Sequence, residues 1–308
     1  MTAGSLNTRL RLVESRQNPR VKELRAALSR TGRTPSGLIA IEGEHLIAEA
    51  IRSQLRIATI FLRDGYQPPF ALPSDAEPLL LPSDVFSSAV ATEQPQGIAA
   101  LVHPPAFSME DLFAGAAPLI LVLAGLQDPG NVGTLLRSAE AFAATGVLLL
   151  PGTASPWNPK ALRASAGSAF RVPAIHATEA EVLDLLAQHN IPTIAAVARA
   201  GISVSAAPLA GPCALLIGNE GAGLSDSLIA AAAHRITIPM PGNVESLNAA
   251  IAGSLLLYEA SRRRSDAALP ESSSSRPEPQ QSLSSRLERS GMERSAVRTA
   301  PSHQHPKS

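Results

Sequence analysis

Polar side chains follow short apolar runs at three places in the C-terminal half of the sequence. They form three pairs, which are Asn131 and Arg137, Asn219 and Glu220, and Ser246 and Asn248. Short apolar runs bounded by glycine and proline predict buried strands. Because ligands of an open parallel sheet bind beyond the carboxyl ends of its strands, these pairs predict a polar site at one edge of such a sheet.

Most of these residues also have a simple structural explanation. Asn131 stands where a helix N-cap is expected, and Ser246 and Asn248 precede the last helix and are equally suited to capping it. Glu220 is as well suited to holding a glycine-rich loop by accepting backbone N–H bonds. Arg137 differs, because it is a lone cation about 9 Å along the helix axis from Asn131, in a small and apolar sequence. Its guanidinium predicts an anionic ligand.

Other motifs limit the chemistry. Glycines at 218, 221 and 223 predict a loop whose backbone approaches a bound molecule. The sequence has no P-loop, and the loop 125–133 lacks GxGxxG spacing, so a dinucleotide-dependent oxidoreductase or transferase on a doubly wound fold is the weaker enzyme alternative. The histidines show no zinc spacing, and Cys213 adjoins an apolar run. We therefore expect no metal, no internal disulfide and a packed thiol.

The spacing of apolar residues predicts the elements that carry these side chains. Strands are predicted at 119–124, 147–150, 193–197, 214–217 and 235–239. Helices are predicted at 131–143, 158–168, 178–188 and 249–259. Arg262 to Arg264 follow the last of these helices, and we expect them to be a solvated cluster at its end. Alternating strands and helices are typical of an α/β domain, which we place at 118–264.

The N-terminal third shows a second, smaller alternation. Strands are predicted at 38–41, 57–62 and 97–102, with helices near 18–28, 44–53 and 82–90. We expect a small α/β domain at 1–104 and a linker at 105–117, with some helix near 109–113. The serine- and proline-rich tail at 265–308 is expected to be disordered, with a weak helical pattern at 283–298.

Charge is distributed unevenly along a chain whose formal net charge is zero. The first 35 residues hold eight Arg or Lys against two Glu, an excess that suits a polyanion such as nucleic acid. A solvated helix face accounts for this excess equally well. No apolar run is long enough to span a membrane and no signal peptide is evident, so we expect a cytoplasmic protein.

Three segments in order resemble a known family. They are DPGNVGTLLRSA (128–139), IGNEGAGL (217–224) and IPMPGNVESLNAAIA (238–252), and they are similar to the motifs of the SpoU, or TrmH, branch of the SPOUT RNA 2′-O-ribose methyltransferases. KALRASAGSAFRVP (160–173) resembles a further stretch of these enzymes. Earlier segments are similar to the family's RNA-binding domain, namely SRQNPRVKEL (15–24), IEGEHLIAEA (41–50) and TEQPQGIAA (92–100).

This resemblance implies a fold, a cofactor and an activity. The expected fold is a C-terminal parallel sheet with a deep trefoil knot, preceded by a small α/β RNA-binding domain, in a homodimer. The expected cofactor is S-adenosylmethionine, and the expected reaction is methylation of a ribose 2′-hydroxyl, with ribosomal RNA as the preferred substrate. The alternatives are transfer RNA as substrate, and a non-catalytic RNA-binding or ribosome-assembly protein.

The resemblance also assigns roles to residues of this sequence. Five positions match polar active-site positions: Arg137, Asn131, Ser246, Asn248 and Glu220. Five are expected at the cofactor: Gly218, Asn219, Ile238, Met240 and Leu247. Five are expected to bind RNA: Arg16, Asn18, Arg20, Lys22 and Arg25. Since a guanidinium is not deprotonated in proteins, we expect Arg137 to stabilise an oxyanion and Glu220 to shape its loop.

Overall fold

The computed structural model describes residues 10–29, 32–90, 92 and 94–268, which form two β-sheets with helices packed against them. The weak helical pattern at 283–298, like the tail from 269 onward, lies outside the described residues.

The N-terminal sheet has five strands in the order β1-β4-β3-β5-β2. These strands are β1 (Arg11–Leu12), β2 (Ile39–Glu42), β3 (Ile57–Arg63), β4 (Glu77–Leu81) and β5 (Ile98–Val102). The helices are α1 (Pro19–Ser29), α2 (Glu44–Arg52) and α3 (Ser83–Ala89). Val21 and Leu24 of α1 are fully buried with Phe61 and Phe86, so one apolar face of α1 forms part of this core.

The C-terminal sheet has seven parallel strands in the order β10-β12-β9-β11-β6-β7-β8. They are β6 (Leu119–Ala124), β7 (Gly146–Leu149), β8 (Ala174–His176), β9 (Thr193–Ala196), β10 (Ile202–Ser203), β11 (Cys213–Gly218) and β12 (His234–Thr237). The helices are α4 (Pro129–Ala141), α5 (Pro159–Ser165), α6 (Glu179–Gln188), α7 (Asp226–Ala231) and α8 (Ala249–Ala268). The predicted α/β class with a parallel sheet is confirmed.

Both faces of this sheet are covered, which explains why its central strands are continuous apolar runs. Leu121 and Leu215 pack in one core cluster with α4 and α8, whereas Val122 and Leu216 pack in another with α6. The Cys213 thiol is buried, as the sequence predicts, and burial raises its pKa. None of the described helices combines the length and apolar character needed to cross a bilayer.

The end of α8 differs from the prediction. The helix continues beyond 264 to Ala268, and the interpretation of its arginines as a solvated cluster is wrong for two of them. Arg263 donates to the carbonyl oxygen of Ala207 at 3.0 Å, and Arg264 donates to those of Ala117 at 2.8 Å and Leu209 at 3.1 Å. These bonds fasten α8 to segments that precede β6 and β11.

One arginine connects α2, a helix of the N-terminal part, with α4, a helix of the C-terminal part. Arg171, before β8, donates to Glu49 of α2 at 2.8 Å and to Glu140 of α4, where one of two bonds measures 3.0 Å. Its guanidinium lowers the pKa of Glu140, and Glu49 is only 5% exposed. Gly167 lies against Glu49 with φ of 93°, where a side chain would be strained and would clash. The N-terminal part is therefore held against α4 and the loop before β8.

Candidate active site

The loops after β6 and β11 meet because these strands are neighbours, with Ala124 opposite Gly218. Asn219 holds the two loops together. Its side-chain amide donates to the carbonyl oxygen of Gly125 at 2.7 Å, and its Oδ1 accepts from the backbone N–H of Gly221 at 2.8 Å. Asn219 thus shapes the glycine-rich loop, a role that the sequence predicts for Glu220.

Three predicted site residues from three separate segments, the start of α4, the loop after β11 and the residue before α8, form one hydrogen-bonded group. The Asn131 amide donates to the Glu220 carboxylate, and Asn248 Nδ2 donates to Asn131 Oδ1 at 3.2 Å. Asn248 Oδ1 accepts from the backbone N–H of Ala250 at 2.9 Å, so its predicted capping role is confirmed as well. We refer to Asn131, Glu220 and Asn248 as the amide–carboxylate group.

The capping explanation of Asn131 is wrong. The N-cap of α4 is Asp128, which accepts from the backbone N–H of Gly130 at 2.9 Å. Asp128 also pairs with Lys160 at 2.6 Å, and this partner is the main cause of its lowered pKa. Because Asp128 caps the helix, the side chain of Asn131 is available to the neighbouring loops.

Arg137 and Ser246 lie outside the amide–carboxylate group. Arg137 is exposed on α4 and makes no hydrogen bond or ion pair with the described residues. α8 packs closely beside it, with Ser138 and Ser254 hydrogen-bonded at 2.7 Å and Gly253 against Leu135. The Arg137 guanidinium is therefore free to contact a bound anion.

A cavity of about 630 Å³ opens beside the amide–carboxylate group, within the range typical of small-molecule sites. It is lined by all five residues expected at the cofactor, namely Gly218, Asn219, Ile238, Met240 and Leu247. Ser246 and Glu220 also line it, and Ile217, Ile236 and Leu256 make part of the wall apolar. A Cβ at Gly218 would lie 2.3 Å from the Gly223 carbonyl carbon, so only glycine fits where the loop folds back.

The residues expected to bind RNA surround α1 but are partly engaged within the protein. Arg16 pairs with Asp84 at 2.7 Å, and Arg20 pairs with Glu23 at 2.8 Å. The Asn18 side chain accepts from the backbone N–H of Arg20 at 2.9 Å. The solvated helix face offered as an explanation of the basic excess does not include Arg25, which is half-buried and donates to the Ser88 carbonyl at 2.7 Å. Lys22 is exposed.

The comparisons with known proteins agree with this arrangement. Residues 118–258 match the model of the SpoU rRNA Methylase family, and residues 18–100 match that of the MRM3-like substrate binding domain. The chain is 34% identical over 249 residues to the 23S rRNA (guanosine(2553)-2′-O)-methyltransferase RlmP of Bacillus subtilis, covering 81% of this chain and 98% of that protein. The chain belongs to the SpoU methylase family. The resemblance predicted from the sequence motifs is therefore confirmed.

Other SpoU methylases are similar in sequence and in structure. The 23S rRNA (uridine(2479)-2′-O)-methyltransferase of Streptomyces viridochromogenes is 30% identical, over 85% of this chain and 95% of that protein. The crystal structure of the SpoU methyltransferase AviRb from the same organism, in complex with the cofactor AdoMet, superposes with a TM-score of 0.73 at 27% identity. That match covers 80% of this chain and 98% of AviRb.

Two charged residues of this SpoU methylase's cavity, Arg199 and Glu245, are not among the site residues that the sequence predicts. Arg199 lies two residues after the predicted strand 193–197, so the strand-end rule that selected Asn131 and Asn219 also applies to it. Among the described residues, no three His, Cys, Asp or Glu side chains are grouped closely enough to hold a metal ion. The roles assigned to individual site residues stay predictions.

Proposed function

We propose that this SpoU methylase transfers a methyl group from S-adenosylmethionine to a ribose 2′-hydroxyl of ribosomal RNA. The observation that carries the proposal is the cavity beside the amide–carboxylate group, because it joins a small-molecule site to polar side chains from three separate segments of the chain. The relatives named as 23S rRNA 2′-O-methyltransferases and the AdoMet complex of AviRb support the same reaction.

The residues of the cavity fit this cofactor. Apolar side chains such as Ile217, Ile236 and Leu256 suit an adenine ring, and backbone groups at Gly218, Ile238 and Leu247 are available for its polar edge. Arg199, Glu220 and Glu245 supply charges of both signs for the amino-acid moiety. When bound, S-adenosylmethionine supplies an electrophilic methyl group that is bonded to its sulfonium sulfur.

Side chains from the cavity wall, from α4 and from the start of α8 position the other reactant. The 2′-oxygen must be held about 3 Å from the methyl carbon and in line with sulfur, so positioning provides much of the rate enhancement. Asn131 and Ser246 orient the ribose, while Asn248 and Glu220 fix Asn131. Arg137 stabilises the developing oxyanion and a neighbouring phosphate, and the hydroxyl proton passes to water or phosphate.

The domain organisation that we propose assigns RNA binding to 1–104 and catalysis to 118–264, with a linker at 105–117 and a tail at 265–308. The match of residues 18–100 to the MRM3-like substrate binding domain supports the assignment of RNA binding to 1–104. Arg16, Arg20 and Lys22 are partly or fully exposed around α1 and bind phosphates, whereas Arg25 orients α1 against α3. The cytoplasm is the compartment that we propose for this reaction.

We also propose a homodimer that forms through one face of α8. Ile251, Leu255 and Tyr258 are 54%, 44% and 52% exposed and follow the four- and three-residue spacing of one helix face. Exposure of such an apolar stripe to water is unfavourable in a monomer, so it favours association with a second copy of the chain. We call these three residues the α8 apolar face.

The trefoil knot is a further proposal. β9 and β10 pair with opposite edges of β12, so the loop 197–201 crosses β12. Gly201 lies so close to β12 that a Cβ there would be 2.7 Å from the Ile236 carbonyl carbon. We propose that the chain after β12 passes through this arch on its way to α8.

The test is methyl transfer from labelled S-adenosylmethionine to total RNA from a strain lacking the gene, separated by size. Wild type should label ribosomal RNA, Arg137→Ala should abolish the label, and Arg235→Ala should retain it. Arg235 is a matched control because it is exposed and lies outside the cavity wall. Absence of label from every RNA fraction would overturn the proposal, and label confined to transfer RNA would overturn its choice of substrate.

A further inference from the structure

One hydroxyl group, that of Thr237, bonds both ends of the loop 197–201 at the cavity. Thr237 Oγ1 accepts from the backbone N–H of Gly201 at 3.1 Å and donates to the carbonyl oxygen of Val197 at 3.1 Å, so it fastens both ends of the loop. Ala200 has φ of 60°, a left-handed conformation that residues with a Cβ rarely adopt. Such strain persists where the surroundings impose it, and it is concentrated at functional sites.

Arg199 stands at the tip of this loop and is available for a ligand. It is exposed, it lines the cavity, and it makes no hydrogen bond or ion pair with the described residues. It is also the only basic residue among the described residues that line the cavity. A guanidinium presents a planar fork of donors that matches the two oxygens of a carboxylate.

The charges of the cavity wall complement those of one end of the proposed cofactor. The wall carries one cation, Arg199, and two carboxylates, Glu220 and Glu245. The amino-acid moiety of S-adenosylmethionine carries one carboxylate, one ammonium group and the adjacent sulfonium, which is the opposite set. Arg199, the one cation of this wall, can form an ion pair with only one group of the amino-acid moiety, which is its carboxylate.

We propose that Arg199 binds the carboxylate of the cofactor's amino-acid moiety and that Thr237 is a positioning residue that holds the loop for this contact. The inference rests on the proposed function, since it assigns a role within the same cavity. Arg137 is not a candidate for this role because it does not line the cavity.

The test compares two ligands by calorimetric titration of the full chain. S-adenosylhomocysteine has the amino-acid moiety, and 5′-methylthioadenosine has the same adenosine thioether without it. Arg199→Ala should weaken S-adenosylhomocysteine binding about 10- to 100-fold and leave 5′-methylthioadenosine binding within about twofold. The matched control Arg235→Ala should leave both affinities unchanged.

Each other result overturns the proposal in a distinguishable way. An equal loss for both ligands would make Arg199 a structural residue, and no loss for either would exclude it from the site. If Arg199→Ala weakened only RNA binding in a mobility-shift assay, the loop would serve a phosphate while the proposed function stood. If wild type bound neither ligand, the proposed function would fail together with this inference.

The positioning role of Thr237 has a separate readout. Thr237→Val keeps the shape of the side chain but removes the hydroxyl, so it should weaken S-adenosylhomocysteine binding about three- to tenfold and spare 5′-methylthioadenosine. Thr237→Ser should restore wild-type affinity, because it returns the donor and acceptor. Failure of serine to restore the affinity would show that the hydroxyl does not act in this way.

Discussion

Asn131 and Arg137 lie on one helix but face different surroundings. Asn131 is engaged by Glu220 and Asn248, whereas Arg137 is exposed and unpaired among the described residues. Six residues along an α-helix turn a side chain by about 240°, so the two project from different sides of α4. The fold thus already holds Asn131 in place, and we propose that Arg137 meets its anion only when the substrate arrives.

The role of Arg137 predicts a particular separation of binding from turnover. Arg137→Lys keeps a positive charge but loses the planar fork, so RNA affinity should stay within about threefold while single-turnover methyl transfer falls about 100-fold or more. Filter binding and rapid-quench transfer assays measure the two quantities. Arg235→Lys serves as the control, and near-normal turnover of Arg137→Lys would refute the assigned role.

At the scale of elements, α8 is fastened at its C-terminal end by Arg264. This side chain donates to carbonyl oxygens of Ala117 and Leu209, which lie far apart in sequence. Arg264→Ala should lower the free energy of unfolding by about 2 to 3 kcal/mol, because charged hydrogen bonds to carbonyls are lost. Urea denaturation measures this change, and Arg262→Ala is the control because its partners, Glu259 and Asp266, lie on α8 itself. Equal destabilisation by the two variants would contradict this account.

Glu259 of the same helix should make the stability of the protein depend on pH. Hydrogen bonds from Arg262 and Arg263 lower the pKa of Glu259 to about 2. A depressed pKa contributes stability that is present above the unfolded-state value of about 4.3 and disappears as pH falls through the folded-state value. Wild type should therefore melt at a higher temperature than Glu259→Gln near neutral pH. Thermal melts should show this difference shrinking between about pH 4 and about pH 2, and a constant difference would contradict the assignment.

The elements that the sequence predicts well are those whose signal is local. β6 is a continuous apolar run and was predicted with its observed bounds. β4 was missed because Pro78 interrupts its pattern, and β10 was missed because it has only two residues. The cap of α4 was misassigned since Asp128 and Asn131 both suit an N-cap and only the helix start decides between them. The contacts of Arg171 and Arg264 join segments distant in sequence, so no local pattern contains them.

At the scale of the whole molecule, Arg171 holds the proposed RNA-binding domain against the proposed catalytic domain, because it bonds Glu49 of α2 and Glu140 of α4. Arg171→Ala removes its bonds to Glu49 and Glu140, so the two parts should move more freely. Cofactor affinity should be unchanged, while kcat/KM for RNA should fall about tenfold and proteolysis in the segment 105–117 should become faster. Arg235→Ala, which removes an exposed arginine of β12 in the C-terminal sheet, is the control. Unchanged proteolysis and kcat/KM would exclude this role.

The homodimer proposal also belongs to this scale. Leu255→Asp places a charge in the α8 apolar face, so light scattering should show a monomer where wild type is a dimer. Ile202→Asp alters a comparably exposed apolar residue on β10 and should leave the dimer intact. A monomeric wild type, or a dimeric Leu255→Asp variant, would show that this face does not mediate association.

The claim that the ribose 2′-oxygen of RNA receives the methyl group is central to this account. The most direct measurement is complete nuclease digestion of ribosomal RNA labelled by the wild-type protein, followed by separation of nucleosides and mass spectrometry. We predict that the label is found in one 2′-O-methylated nucleoside, and that the adjacent phosphodiester resists alkali because its 2′-hydroxyl is blocked. Label on a base, or an adjacent bond that alkali cleaves, would contradict the account.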